Sequence, residues 1–122
     1  METKDGKQAV FAKTRNEWRR WLKKSSQSEK SVWLIMHHKK SEVKSVNYND
    51  AIEEALCFGW IDSLAKKRDA ESFYLTFTPR KPKTSKWSAL NRERVGRMIS
   101  KGLMTMYGQA LIDSAKSNGK WE

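Results

Sequence analysis

An α+β fold, with a small antiparallel sheet of about three strands packed against about four helices, is predicted by three observations. Four stretches carry apolar residues at helical spacing behind a capping residue: they follow Thr14, Asn47, Ser85 and Thr105. Three short runs, Val32–Met36, Trp60–Lys66 and Ser72–Thr78, are of strand length and rich in β-branched or aromatic residues. Gly59, Pro79, Pro82 and Gly102 punctuate the boundaries between them.

Taken in order, residues 1–10 read as a loose lead-in, with Val10 and Phe11 free to add an edge strand or to pack on the first helix. Thr14-Arg15-Asn16-Glu17 fits a capping box, and Trp18, Trp21 and Leu22 follow on one face, so a helix is expected from about Arg15 to Lys24. Val32–Met36 then reads as a buried strand. Asn47, with Asp50 three residues on, caps a second helix whose stripe is Ala51, Ile52, Ala55 and Leu56. Gly59 ends it, because glycine enters the left-handed conformation that closes a helix without steric cost. Trp60–Lys66 and Ser72–Thr78 are expected to pair as a hairpin around Lys67–Ala70. In the second of these strands Phe73, Leu75 and Phe77 share one face, and Tyr74, Thr76 and Thr78 the other. Pro79 and Pro82 stop the strand, and Ser85 is expected to cap a helix over about Lys86–Lys101. Gly102 closes that helix, and Thr105 opens a last one through about Ser117.

The 122 residues suit one domain, and no internal repeat divides them. Lys and Arg number 25 against 14 Asp and Glu, a net charge of +11. Such a field attracts polyanions, and it equally well describes a soluble surface of spread cations. No run reaches the roughly eighteen apolar residues that cross a bilayer, and Met1–Phe11 lacks a signal peptide's apolar stretch, so a cytoplasmic monomer is expected, with a weak dimer as the alternative. The lone Cys57 sits in the apolar run ALCFGW and reads as a buried hydrophobe.

Chemistry-bearing patterns are sparse. His37 and His38 are adjacent in a strand and face opposite sides, so no metal is expected. Glu53 and Glu54 read as the solvated face of their helix. Ser63 and Ser88 have no Ser-His-Asp spacing around them, and no cofactor is expected. Trp18, Trp21 and Trp33 read as core.

The motifs NYNDAIEEALCFGWIDS at Asn47–Ser63, FTPRKPKTSKWS at Phe77–Ser88, NRERV from Asn91, KGLMT from Lys101 and AKSNGKW from Ala115 are similar to the YdeI/OmpD-associated, or bacteriocin-protection, family. The resemblance runs from about Phe11 to Trp121. It implies a small cytoplasmic bacterial α+β protein for which no reaction is established. It also implies a part in tolerance of bacteriocins or cationic antimicrobial peptides, and an association with an outer-membrane porin. Met106 departs from the proline that such relatives often carry at the start of the last helix.

Trp60, Asp62, Thr78, Arg80, Lys83, Ser85, Lys86 and Trp87 form the candidate ligand-binding surface. Two arrangements of it are open. Asp62 and Arg80 form a structural clamp, or Arg80, Lys83 and Lys86 hold an anion with donors from Ser85 and its helix start, while Trp60 or Trp87 stacks on a ring. The partner is then an anionic small molecule or an acidic protein. The alternatives are nucleic acid, with Arg92, Arg94, Arg97 and Lys101 tracking phosphates, or an enzyme of unknown reaction using Asp62 as an acid or base.

Overall fold

The computed structural model describes residues 1–122. In chain order it contains β1 (Thr3–Lys4), β2 (Lys7–Phe11), α1 (Arg15–Ser25), β3 (Val32–His37), α2 (Tyr48–Cys57), β4 (Trp60–Lys67), β5 (Ser72–Pro79), α3 (Ala89–Ser100) and α4 (Met106–Ser117). The class is α+β with four helices, as expected. The sheet is larger than expected: five strands in the order β1-β2-β3-β5-β4. It is also mixed, since β2 runs parallel to β3 while the β3–β5 and β4–β5 pairs are antiparallel.

The two extra strands come from the residues expected to be a loose lead-in. Asp5 (φ 54°) and Gly6 (φ 75°) form a two-residue turn with both residues left-handed, the geometry that matches the twist of a tight hairpin. Thr3 then faces Gln8, and Lys4 faces Lys7. The hairpin is held because the sheet has a second apolar face to cover. Ala9, Trp33, Ile35 and Tyr74 cluster on the side away from the main core. The Trp33 indole donates to the Lys4 carbonyl at 2.9 Å, and Lys7 lies 4.5 Å over its ring. Glu2 accepts from Arg68 at 2.9 Å and from the Tyr74 hydroxyl, and Asp5 pairs with Lys66 at 2.9 Å, so the hairpin end is tied to the far edge of the sheet.

The main core lies on the other face. Val32, Leu34, Met36, Leu75 and Phe77 from the strands meet Trp18 and Leu22 of α1, Ile52 and Leu56 of α2, Val95 and Met98 of α3, and Ile112 of α4. Phe77 thus points to the helices and Tyr74 away from them, the alternation read from the sequence. The α1 cap forms as expected on one side, Glu17 N–H donating to Thr14 Oγ1 at 3.2 Å, while the Glu17 carboxylate accepts from Lys13 rather than from Thr14. Asn47 caps α2 through Asp50 N–H at 2.9 Å.

The last helix is docked by close backbone approach. Gly59 (φ 78°) follows α2, and a Cβ there would stand 2.7 Å from Leu111 Cδ1. At Gly108 a Cβ would stand 2.5 Å from the Leu56 carbonyl oxygen, so α4 rests on the end of α2 with no room for a methyl group. Thr105 Oγ1 adds a hydrogen bond to the Cys57 carbonyl.

Candidate functional site

Gly59 O accepts from Arg80 N–H at 2.8 Å, just beyond the Trp60–Pro79 pair that ends the hairpin. This bond seats Arg80 against the start of β4, facing α4. The two strand ends, the Ser26–Glu29 turn after α1 and the first turns of α4 enclose a groove of about 450 Å³. Arg80 and Glu29 are its charged residues; Phe58, Trp60, Met106, Tyr107 and Leu111 supply much of the rest of its wall.

Arg80 is 7% exposed. Its guanidinium lies 4.0 Å over the Trp87 ring and donates through Nη2 to the Lys86 carbonyl at 3.1 Å. Nε, also buried, has no acceptor. No carboxylate is paired with it. Burial pushes Arg80 down to about 10, opposed only by the charge of Asp62, so the group stays cationic at neutral pH while paying a desolvation cost that no ion pair offsets.

The Asp62–Arg80 clamp, one of the two arrangements open in the sequence, is therefore not formed. Asp62 instead accepts from the Tyr48 hydroxyl at 2.9 Å, and its distant field is what reaches Arg80. Neither tryptophan offers a free stacking face. Trp60 is 1% exposed and donates its indole N–H to the Ser26 carbonyl at 3.0 Å. Trp87 is buried between Arg80 and Trp121, whose ring centroid is 5.3 Å away. The expected helix start also moves. Ser88, not Ser85, caps α3, accepting from Asn91 N–H at 3.1 Å. Burial of Trp87 explains the shift: its N–H donates to Lys120 O at 3.1 Å, drawing the chain into the core before a helix can begin. Ser85 sits in the preceding turn, with its N–H on Lys81 O. Lys83 is exposed, Thr78 is half-buried opposite Ile61, and neither lines the groove. Of the eight residues, Trp60 and Arg80 line the groove, Trp87 and the Lys86 carbonyl hold Arg80 in place, and Asp62 acts through its field.

A second charged constellation lies behind α2, where a solvated face was expected. Glu53 and Glu54 are 3% and 2% exposed. Glu54 receives Arg15 at 2.7 Å and Arg19 at 2.8 Å, while Glu53 receives Arg15 at 3.0 Å and Arg97 at 2.8 Å. Burial raises the Glu53 carboxyl, but hydrogen bonds from Arg97 and Arg15 outweigh it and hold the group below its usual range. Both acids are ion-paired structural groups, each held by two arginines.

Of the four basic helix residues named for phosphate contact, Lys101 is exposed, and the three arginines donate to protein acceptors. Arg92 donates to the carbonyls of Trp87 at 3.1 Å and Trp121 at 2.9 Å, Arg94 to Asn49 at 3.0 Å and Asn91 at 2.8 Å, and Arg97 to Glu53 and Glu93. Cys57 is buried, and desolvation pushes its thiol up to about 11.

The α4 wall of the groove was missed in the sequence, although Gly108 within a helical pattern was a usable sign of close backbone approach.

A family described as a domain of unknown function, DUF8412, matches residues 10–111 of the chain. No curated protein and no solved structure matches it.

Proposed function

We propose, for this chain, which belongs to the DUF8412 family of domains of unknown function, that it is a binding protein whose groove receives an anionic group on Arg80. One observation carries the reading. Arg80 is a cation 7% exposed, in the wall of a groove, with a buried Nε that finds no acceptor and no carboxylate paired to it. Burying an unpaired charge costs several kcal/mol, and a protein that keeps one has left a demand that an incoming anion meets. Trp87 and the Lys86 carbonyl hold the guanidinium in one orientation, so little ordering entropy remains to be lost on binding. The net charge of +11 adds a long-range field that gathers anions toward the surface.

The anion is a small molecule or an acidic side chain of a partner protein. The resemblance to the YdeI/OmpD-associated family supplies the setting: a cytoplasmic bacterial protein acting in tolerance of bacteriocins or antimicrobial peptides. Nucleic acid is the weaker reading, because Arg92, Arg94 and Arg97 already donate to protein acceptors.

Thermal unfolding in increasing acetate or phosphate tests the reading, with Arg80→Gln as the control. An anion that binds the native state raises the melting temperature of the parent protein, and this rise disappears in Arg80→Gln. Equal rises in both proteins, or none in the parent, contradict it.

A further inference from the structure

We infer that the ligand of this groove is an amphiphile with a single carboxylate and an apolar tail, of the kind represented by a medium-chain aliphatic acid. The inference rests on the reading of Arg80 as an anion seat and adds the ligand's class. Charge sets the first limit. Arg80 and Glu29 are the charged residues lining the groove, so its wall is neutral overall. Lys83 and Lys86 carry their ammonium groups outside the lining. One cation matches one negative charge. A phosphate dianion or a polyphosphate would bring a second charge toward Glu29 with no second cation to receive it. A guanidinium suits the planar carboxylate better than a compact point charge would.

Shape and polarity set the second limit. The wall leading away from Arg80 is formed by Met106, Tyr107 and Leu111 of α4 with Phe58 and Pro82. Met106 is 76% exposed and Tyr107 43%, an apolar surface at the groove mouth that a tail would take out of water. A volume of about 450 Å³ lies within the range of small-molecule sites and far exceeds what acetate or inorganic phosphate fills. The charged head is thus accounted for by Arg80, and the remaining space by hydrocarbon.

Calorimetric titration of the whole chain with octanoate, acetate, octanol, inorganic phosphate and pyrophosphate tests this. Octanoate is expected to bind at least about tenfold more tightly than acetate, since each buried methylene adds favourable transfer free energy. It is also expected to bind at least about tenfold more tightly than octanol, which lacks the charge. Arg80→Gln removes the preference over octanol. Ala110→Trp, at an exposed position of α4 in the groove wall, weakens octanoate but leaves acetate unchanged. Matching far-ultraviolet spectra and melting curves establish that both variants fold. Tighter binding of phosphate or pyrophosphate than of octanoate, lost in Arg80→Gln, overturns the amphiphile and leaves the anion seat standing. Octanol binding as well as octanoate also overturns it. If none of the anions binds, both this inference and the anion seat fail.

Discussion

Arg15, Arg19 and Arg97 meet Glu53 and Glu54 of α2 at 2.7–3.0 Å, whereas Arg80 meets no carboxylate. The paired arginines keep 29%, 23% and 39% of their side chains in water, so they are less in need of partners than Arg80 at 7%. The contrast separates charge used for structure from charge held for a ligand. A network whose every charge is matched is complete within the chain, and a buried cation with an idle donor is complete only when something else arrives.

The largest expected effect lies on the matched side. Glu54→Ala leaves Arg15 and Arg19 partly buried with one fewer partner each and is expected to cost about 3 kcal/mol. This is the low end for breaking a buried pair, because both arginines retain some water. Urea unfolding measures it, and a loss below about 1 kcal/mol would make the network no better than surface ion pairs. Next is Gly59→Ala, expected to cost about 2–3 kcal/mol from the left-handed backbone and the clash with Leu111, and to weaken anion binding by displacing α4 from Arg80.

Arg80→Met should behave in the opposite way to Glu54→Ala. It keeps much of the packing on Trp87 and removes a desolvated charge, so stability is expected to stay within about 1 kcal/mol of the parent or to rise, while anion binding is lost. A large loss of stability would instead make Arg80 a structural post.

Acid sharpens the same contrast. Glu2 is lowered to about 2 by hydrogen bonds from Arg68 and Tyr74, and Glu53 is also held below the ordinary value of 4.5. Because the folded values lie below the unfolded ones, these carboxylates contribute stability that is present above about pH 4.5 and is lost at lower pH, for Glu2 as the pH falls toward 2. Glu2→Gln should flatten part of that slope in a melting-temperature series, modestly, because Glu2 remains a third exposed. The smallest effect is expected at Asp62. Asp62→Asn removes a carboxylate whose negative field favours the Arg80 cation but repels an incoming anion, so anion affinity should rise by about twofold, with stability changed by less than about 0.5 kcal/mol.

The helices and the hairpin were legible because cap residues, apolar spacing and Gly59 act locally. Thr14, Asn47 and the Phe73–Leu75–Phe77 alternation need no knowledge of the rest of the chain. The N-terminal hairpin was legible in principle, since Asp5-Gly6 is a turn signature, but its strands are short and polar and are stabilised by an apolar face that Trp33 and Tyr74 create from afar. Glu53 and Glu54 look solvated in a helical projection because their partners lie far along the chain, at Arg15, Arg19 and Arg97. The candidate site was half legible for the same reason. Arg80 and Trp87 stood out in the sequence, but only the fold decides that Asp62 turns to Tyr48 and that Ser88 displaces Ser85 as the cap.

The most direct test observes the idle donor itself. In a proton–nitrogen correlation spectrum of the folded protein, the Nε–H resonance of Arg80, assigned by its absence in Arg80→Lys, is followed during titration with octanoate. A saturable shift at that resonance, with the Arg15 and Arg97 Nε–H signals unmoved, is the expected result. An Arg80 signal that stays fixed up to millimolar octanoate, or that moves no more than those of the paired arginines, contradicts the account.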